Sequence, residues 1–391
     1  MALSASMNRR SFIVSAAGLA LGAALVSAAG SFAPALAVAD ETPETVTIIS
    51  KDANGEDGEH EVPFDPQRIA ILDMAALDIL DGLGLGDRVV GTASTSIDYL
   101  QDYATNKDLE ALGTIKEADL EAVMKCEPDI IFIGGRLSKS YDILSEIAPV
   151  VYLATDTEKG LVQSVRDNAT TIASIFGLED EIAAEMEGFD ARIAALAEFA
   201  EGKTAVVGMC TSGSFNVLGN DGRCSIIGRE IGFDNVAAGE ASSGGQGGHG
   251  GQGGHGEGGQ GGHGEGHGEG GQGGEGHGHG GENAEAGDNA KSGEAIAAVT
   301  ATHGNEASFE TIVSLDPDYI FVMDRDAAIG TEGAQLAREI MENELVESMR
   351  AYQDDHIVYL EHPAVWYTAE GGITALDYML ADLEKGLGLA E

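Results

Sequence analysis

Two arginines, Arg136 and Arg325, end two copies of one segment in a chain that has only 21 basic residues. The first copy runs from Ala118 to Arg136 and the second from Ala307 to Arg325. They align without gaps, with seven of 19 positions identical. Each reads as a short helix, a Pro-Asp break (Pro128-Asp129, Pro317-Asp318), an apolar strand, and then the arginine. In α/β sheets ligands gather beyond the carboxyl ends of strands. A guanidinium there matches paired oxygens, so two of them facing one cleft select an anionic, oxygen-rich ligand. Either arginine alone would read equally well as a solvated surface residue; it is the pairing that favours a site.

Two more groups are chemically suited to a metal. His303 stands in Thr302-His303-Gly304, just upstream of the second copy, and Tyr367 follows Trp366 near the C-terminus. Phenolate is a hard donor suited to ferric iron, and imidazole also binds iron. By spacing alone, a single His and a single Tyr are more often structural. Arg223, after the Asn220-Asp221-Gly222 turn, is a further arginine that pattern alone does not select. Six histidines (His249, His255, His263, His267, His277 and His279) lie in a stretch from Gly244 to Gly281 where 24 of 38 residues are glycine. With interspersed glutamates they are candidates for weak binding of Zn²⁺, Ni²⁺ or Cu²⁺; the plainer reading is a tolerated loop expansion. His60, His356 and His362 read as surface residues.

The elements that must position these groups follow from hydrophobic patterning. Thr45–Ile49 and a return towards Val62 form an opening hairpin. Short apolar runs at 68–72 and 88–92 alternate with a helical stretch at 75–83, the pattern of βα units and a mostly parallel sheet. The doubled segment implies two units of like topology. Between its copies, Ile182, Met186, Phe189, Ile193, Leu196 and Phe199 recur at steps of three and four, which predicts one long amphipathic helix. The expected fold is therefore α/β: two Rossmann-like lobes, 40–177 and 203–391, joined by a single helix over 178–202. Residues 240–295 cannot bury enough apolar area to offset chain entropy, and are read as a disordered His/Gly-rich insertion in the second lobe.

Composition narrows the function class. The formal net charge is −45, from 66 acidic against 21 basic residues. Nucleic acid and anionic membrane would repel such a chain. Three cysteines, Cys126, Cys210 and Cys224, form no C-x-x-C pair and read as free thiols, with a Cys210–Cys224 bridge as the alternative. Residues 1–39 carry a twin-arginine-type export signal: Asn8-Arg9-Arg10-Ser11-Phe12-Ile13, a weakly apolar run, and overlapping A-x-A cleavage sites around Ala35 to Ala39. No cysteine precedes Cys126, so no lipid-anchoring cysteine is expected, and the mature chain should begin near Asp40 outside the cytoplasm. No G-x-S-x-G, G-x-x-x-x-G-K-[ST] or H-E-x-x-H motif occurs, and an enzyme is not expected.

From about Pro66 onward, the insertion excepted, the chain resembles the iron–siderophore solute-binding proteins of ABC importers, most of all the catecholate-binding branch. The motifs are Leu72-Asp-Met-Ala-Ala-Leu-Asp78, Gly135-Arg-Leu-Ser-Lys-Ser-Tyr141, Thr302-His-Gly304, Asp324-Arg-Asp-Ala-Ala-Ile-Gly330 and Trp366-Tyr367. The resemblance implies a monomer whose basic cleft holds a ferric siderophore through Arg136, Arg223 and Arg325, beside Trp366. It implies that His303 and Tyr367 complete the iron shell, and that Glu121 and Glu310, at equivalent places in the two copies, dock on the permease. A first-turn glutamate favoured by the helix dipole is the equal alternative for each. Arg223 matches least well, because Gly219-Asn-Asp-Gly-Arg-Cys224 drifts from the family pattern. No intrinsic cofactor is implied. Two other readings remain: capture of Zn²⁺ or another divalent ion with the histidine-rich loop as collector, and a surface metal-storage or interaction protein.

Overall fold

The computed structural model describes residues 43–156, 158–238, 309–332 and 335–390. The signal segment 1–39, the insertion 240–295 with its six histidines, and His303 lie outside the described residues. The described chain is mixed α/β with two five-stranded sheets, each built mainly of parallel strands, plus a separate hairpin. That hairpin pairs β1 (Thr45–Lys51) with β2 (Asp57–Pro63), antiparallel. It docks on the first sheet through Ser50, whose hydroxyl accepts the Tyr152 N–H at 2.9 Å.

In the first sheet, β3 (Ile69–Ile71) leads into helix α1 (Met74–Gly82) and then β4 (Val89–Thr92) and β5 (Glu110–Ala111). The first copy of the doubled segment supplies α2 (Leu120–Lys125) and β6 (Ile130–Ile133), followed by β7 (Val150–Tyr152). The order is β5-β4-β3-β6-β7, all parallel. Helices α3 (Leu161–Phe176) and α4 (Glu179–Ala200) pack on each other next. Helix α4 is the expected amphipathic one, slightly shorter than the expected span 178–202. Glu179, Asp180 and Glu181 load its first turn, where negative charge meets the positive end of the dipole. It ends at Ala200 because the backbone leaves the helical region at Glu201 and turns left-handed at Gly202 (φ +72°), a conformation glycine adopts without penalty.

The second sheet contains β8 (Thr204–Thr211), its antiparallel partner β9 (Ser214–Val217), and β10 (Asp234–Asn235). The second copy supplies α5 (Phe309–Leu315) and β11 (Tyr319–Asp324), followed by α6 (Arg325–Ala328) and β12 (Ile357–Tyr359). Its parallel order, β10-β8-β11-β12, repeats that of β4-β3-β6-β7. The copies agree in detail. Glu127 and Asp316, the residues before the two prolines, both adopt positive φ (44° and 41°). After each proline an aspartate clamps the start of the neighbouring strand. Asp129 Oδ2 accepts the Gln67 and Arg68 N–H groups at 2.9 Å each, and Asp318 Oδ2 accepts the Thr204 N–H and hydroxyl at 2.9 Å each.

Both faces of β11 are covered, as a parallel strand requires. Phe321 and Met323 join a core that also holds Ile69, Ile131 and Leu376, while Ile320 and Val322 face a second cluster with Val206, Ile312 and Met341. The chain ends in α7 (Pro363–Thr368) and α8 (Ile373–Gly386). Helix α8 packs on α1, α3 and α4 as well as on β12, so the C-terminal helix is built into the first half of the molecule. The fully buried Asp78 of α1 makes this junction: its carboxylate accepts the Thr374 and Ala375 N–H groups at 2.8 and 2.9 Å, together with the Tyr99 hydroxyl. Gly372 lets the helix end come so close, since a Cβ there would lie 2.4 Å from Asp78 Cγ. Arg192 of α4 adds a bidentate pair to Glu384 of α8, at 2.8 and 2.9 Å.

The thiols Cys126, Cys210 and Cys224 are all free and all buried. Two histidines read as surface residues have defined partners. His356 stacks on Tyr319 with ring centroids 4.2 Å apart, and His362 Nδ1 lies 2.6 Å from the buried Asp382 carboxylate. His362 is more basic than a free imidazole, chiefly through that Asp382 hydrogen bond.

Candidate functional site

The site is assembled around the Tyr367 hydroxyl. Tyr367 lies on α7, which has Pro363 in its first turn, where the missing N–H costs nothing. Neighbouring residues on a helix diverge by about 100°. Trp366 therefore points inward, fully buried, with its indole N–H donating to Asp382 Oδ2 at 2.9 Å. Tyr367 is left half-exposed. Trp366, expected beside the ligand, forms the packed back face of the helix that presents Tyr367.

Arg325, the last residue of the second repeat, donates from Nε to the Tyr367 hydroxyl at 3.1 Å and from Nη1 to Thr211 Oγ1 at 3.2 Å. Its other neighbour is Asp326, a buried carboxylate 3.4 Å away that also accepts the Ser212 N–H at 2.6 Å. Arg223 approaches from another loop, its guanidinium carbon 4.3 Å from the centre of the Tyr367 ring, a cation–π contact. Arg136, the last residue of the first repeat, follows β6 on a 3₁₀ turn and is exposed. Its charge acts on Tyr367, on Glu370 and on Asp73.

These charges reset the acidity of the phenol. Burial alone would raise the Tyr367 pKa, but the Arg325 hydrogen bond and the charges of Arg223, Arg325 and Arg136 together pull it below its ordinary value. A half-buried phenol that ionises more easily than a free one, beside guanidinium groups, is a hard oxygen donor on a positively charged surface. The arrangement can hold a multiply charged anion and offer one oxygen to a metal carried within it.

Of the expected site residues, Arg223 and Arg325 contact Tyr367, and Arg136 acts on it through its charge. His303 lies outside the described residues, as do the six loop histidines. Glu121 and Glu310 are both exposed, in the first turns of α2 and α5, as their equivalent sequence positions imply. Sequence reasoning missed Glu370, Asp73 and Asp326. Asp73 caps α1 by accepting the Ala76 N–H at 3.0 Å, and burial raises its pKa against the opposing pull of that bond and of Arg136. Glu370 accepts the Cys224 N–H at 3.1 Å, and burial pushes its carboxyl to about 7 although Arg223 opposes the shift. Its one available signal was its place three residues, about a helical turn, beyond Tyr367.

Comparison with known proteins places the chain among solute-binding relatives. The petrobactin-binding protein YclQ of Bacillus subtilis is 29% identical over 369 residues, covering 93% of this chain and 95% of the relative. The ferric-anguibactin-binding protein FatB of Vibrio anguillarum is 23% identical over 330 residues, covering 82% of each. Among solved structures, the periplasmic catecholate-siderophore-binding protein VctP of Vibrio cholerae superposes with a TM-score of 0.65 at 25% identity, covering 88% of this chain and all of that one. Residues 69–251 and 277–364 match the family described as periplasmic binding protein, and the chain belongs to that family.

Proposed function

We propose that the protein is an extracytoplasmic solute-binding protein that captures a ferric, catecholate-type siderophore and delivers it to an ABC permease. The observation that carries this reading is the cationic setting of Tyr367: Arg325 bonds its hydroxyl, Arg223 lies over its ring and the charge of Arg136 acts on its acidity. A ferric catecholate carries a net negative charge spread over paired oxygens, the pattern that guanidinium forks match. The relatives named for petrobactin and ferric anguibactin, and the VctP structure named for catecholate siderophores, support the same ligand class.

In this reading the ligand lies between two lobes, 40–177 and 203–391, with the helix over 178–202 as their link. Tyr367 and His303 fill iron positions that the siderophore leaves open. Glu121 and Glu310 meet arginines of the permease, the protein acts as a monomer, and residues 1–39 direct export by the twin-arginine route. The insertion 240–295, with Zn²⁺ or Ni²⁺ on its histidines, is an accessory to this role. Capture of a free divalent cation as the main function is disfavoured, because three guanidinium groups would repel it.

Titration with a ferric catecholate tests the proposal through Trp366, the one tryptophan. Saturable quenching of its fluorescence, retained after deletion of 243–293, is expected; no saturable response to the ferric complex rejects the reading. Tyr367→Phe should weaken the complex and remove a phenolate-to-iron absorption band. An unchanged spectrum would exclude Tyr367 as an iron donor.

A further inference from the structure

Glu370 is the carboxylate nearest in sequence to Tyr367, yet its bond runs to a loop 146 residues away. Its Oε1 accepts the N–H of Cys224 at 3.1 Å. Cys224 is fully buried and holds φ at +60°, a left-handed conformation that a non-glycine residue keeps only when its surroundings impose it. The residue before it is Arg223, whose guanidinium lies over the Tyr367 ring and whose Nε is buried with no hydrogen-bond partner among the described residues. Beside its contact with the Tyr367 ring, the direction of Arg223 depends on its backbone, and Glu370 holds the next backbone N–H.

The charges facing Glu370 come from both halves of the molecule. Arg223 and Arg136 favour its ionised form, as does the Cys224 N–H, whereas Glu230 opposes it. Glu230 is itself fixed, accepting the Val162 N–H at the start of α3 at 3.3 Å. The two cations that keep a proton off Glu370 are thus two of the three offered to an anionic ligand.

We propose that Glu370 is a positioning residue of the ligand site, which pins the Cys224 turn so that Arg223 covers Tyr367 and which takes up a proton from solvent when an anionic ligand engages Arg223 and Arg136. The proposal rests on the anion-capture reading above. Burial has already brought the carboxyl to about 7, so a modest loss of opposing positive charge changes its protonation near neutral pH. In the unliganded protein the carboxylate balances Arg223, and on binding the proton removes a negative charge that would otherwise repel the ligand.

Two variants separate the parts of the proposal. Glu370→Gln keeps a carbonyl oxygen for the Cys224 N–H and cannot titrate, whereas Glu370→Ala loses both functions. The probe is a ferric catecholate complex, titrated calorimetrically at pH 7.5 in two buffers of different ionisation enthalpy. Wild type should take up a substantial fraction of a proton more than Glu370→Gln. Glu370→Gln should bind within about threefold of wild type and Glu370→Ala about tenfold more weakly, since a charge-assisted bond is lost. Equal proton numbers for wild type and Glu370→Gln would overturn the proton linkage. An unliganded crystal structure of Glu370→Ala tests the positioning without any ligand. Arg223 displaced from the Tyr367 ring and Cys224 relaxed to negative φ are expected; both unmoved would sink it. Failure of wild type to bind the probe would count against the ligand reading, and that structure still decides the positioning role.

Discussion

The two copies of the repeated segment are alike in backbone and unlike in chemistry. Both turn through a left-handed residue before proline, at Glu127 and Asp316, and both use the following aspartate to clamp a neighbouring strand. Both strands are central in their sheets. Yet Arg325 is held by Tyr367 and Thr211 beside the buried Asp326, whereas Arg136 stands exposed on a 3₁₀ turn with no fixed side-chain partner among the described residues. Repetition built the scaffold twice; the residues beyond the repeat decided which arginine is pre-organised. A fixed guanidinium loses little freedom on binding, while a free one must be ordered by the ligand.

The sharpest way to break this contrast is to remove each arginine in turn. Arg325→Ala should weaken ferric-catecholate binding about a hundredfold, because it also strips the Tyr367 hydroxyl of its donor. Arg136→Ala should cost about tenfold, the smaller share expected of an exposed charge. Equal losses, read by fluorescence titration, would mean that pre-organisation of Arg325 contributes nothing.

The scaffold equivalence is tested by the two aspartates. Asp129→Ala and Asp318→Ala each leave donors at a strand start without an acceptor, and each should destabilise by about 1–3 kcal/mol in denaturant unfolding. A large effect at one and none at the other would break the equivalence. The Thr204 N–H, first among several partners, holds the Asp318 carboxyl below its ordinary value, with the Thr204 hydroxyl, Arg350 and His356 adding to the effect. Its stabilisation is therefore fully present above the ordinary carboxylate range and fades as pH falls through the lowered value. The melting-temperature gap between wild type and Asp318→Ala should narrow in acid.

The smallest expected effect concerns the join that carries α8 onto the first half. Burial raises the Asp78 carboxyl to about 7, despite the bonds from Tyr99, Thr374 and Ala375. The folded state then binds this proton more tightly than the unfolded chain. Asp78's contribution to stability should decline as pH rises from about 4 to about 7. Asp78→Asn should flatten that part of the melting-temperature profile relative to wild type. An identical slope in the two proteins would show that the carboxyl does not titrate in that range.

Much of this was legible in the chain because it is local. The hairpin, the helix at Glu179–Ala200 and both repeat segments follow from patterning and from Pro-Asp breaks that act over a few residues. Arg136 and Arg325 were found for the same reason, since each closes a readable strand. The burial of Trp366 beside a half-exposed Tyr367 was not legible from their adjacency, because a helix turns neighbours apart. Glu370 was invisible because its partner, the Cys224 N–H, is 146 residues distant, and its acidity comes from burial that no local pattern records.

By itself, then, the sequence determined the α/β units, their duplication and two of the three guanidinium groups, all properties of short stretches whose periodicity and turn chemistry act locally. The resemblance added Arg223 and Tyr367, and only the tertiary structure shows their contacts, with Arg325 on the Tyr367 hydroxyl and Arg223 over its ring. Positive charge becomes a binding site when groups from distant segments share one partly buried space, where water screens them weakly and each shifts the ionisation of the others.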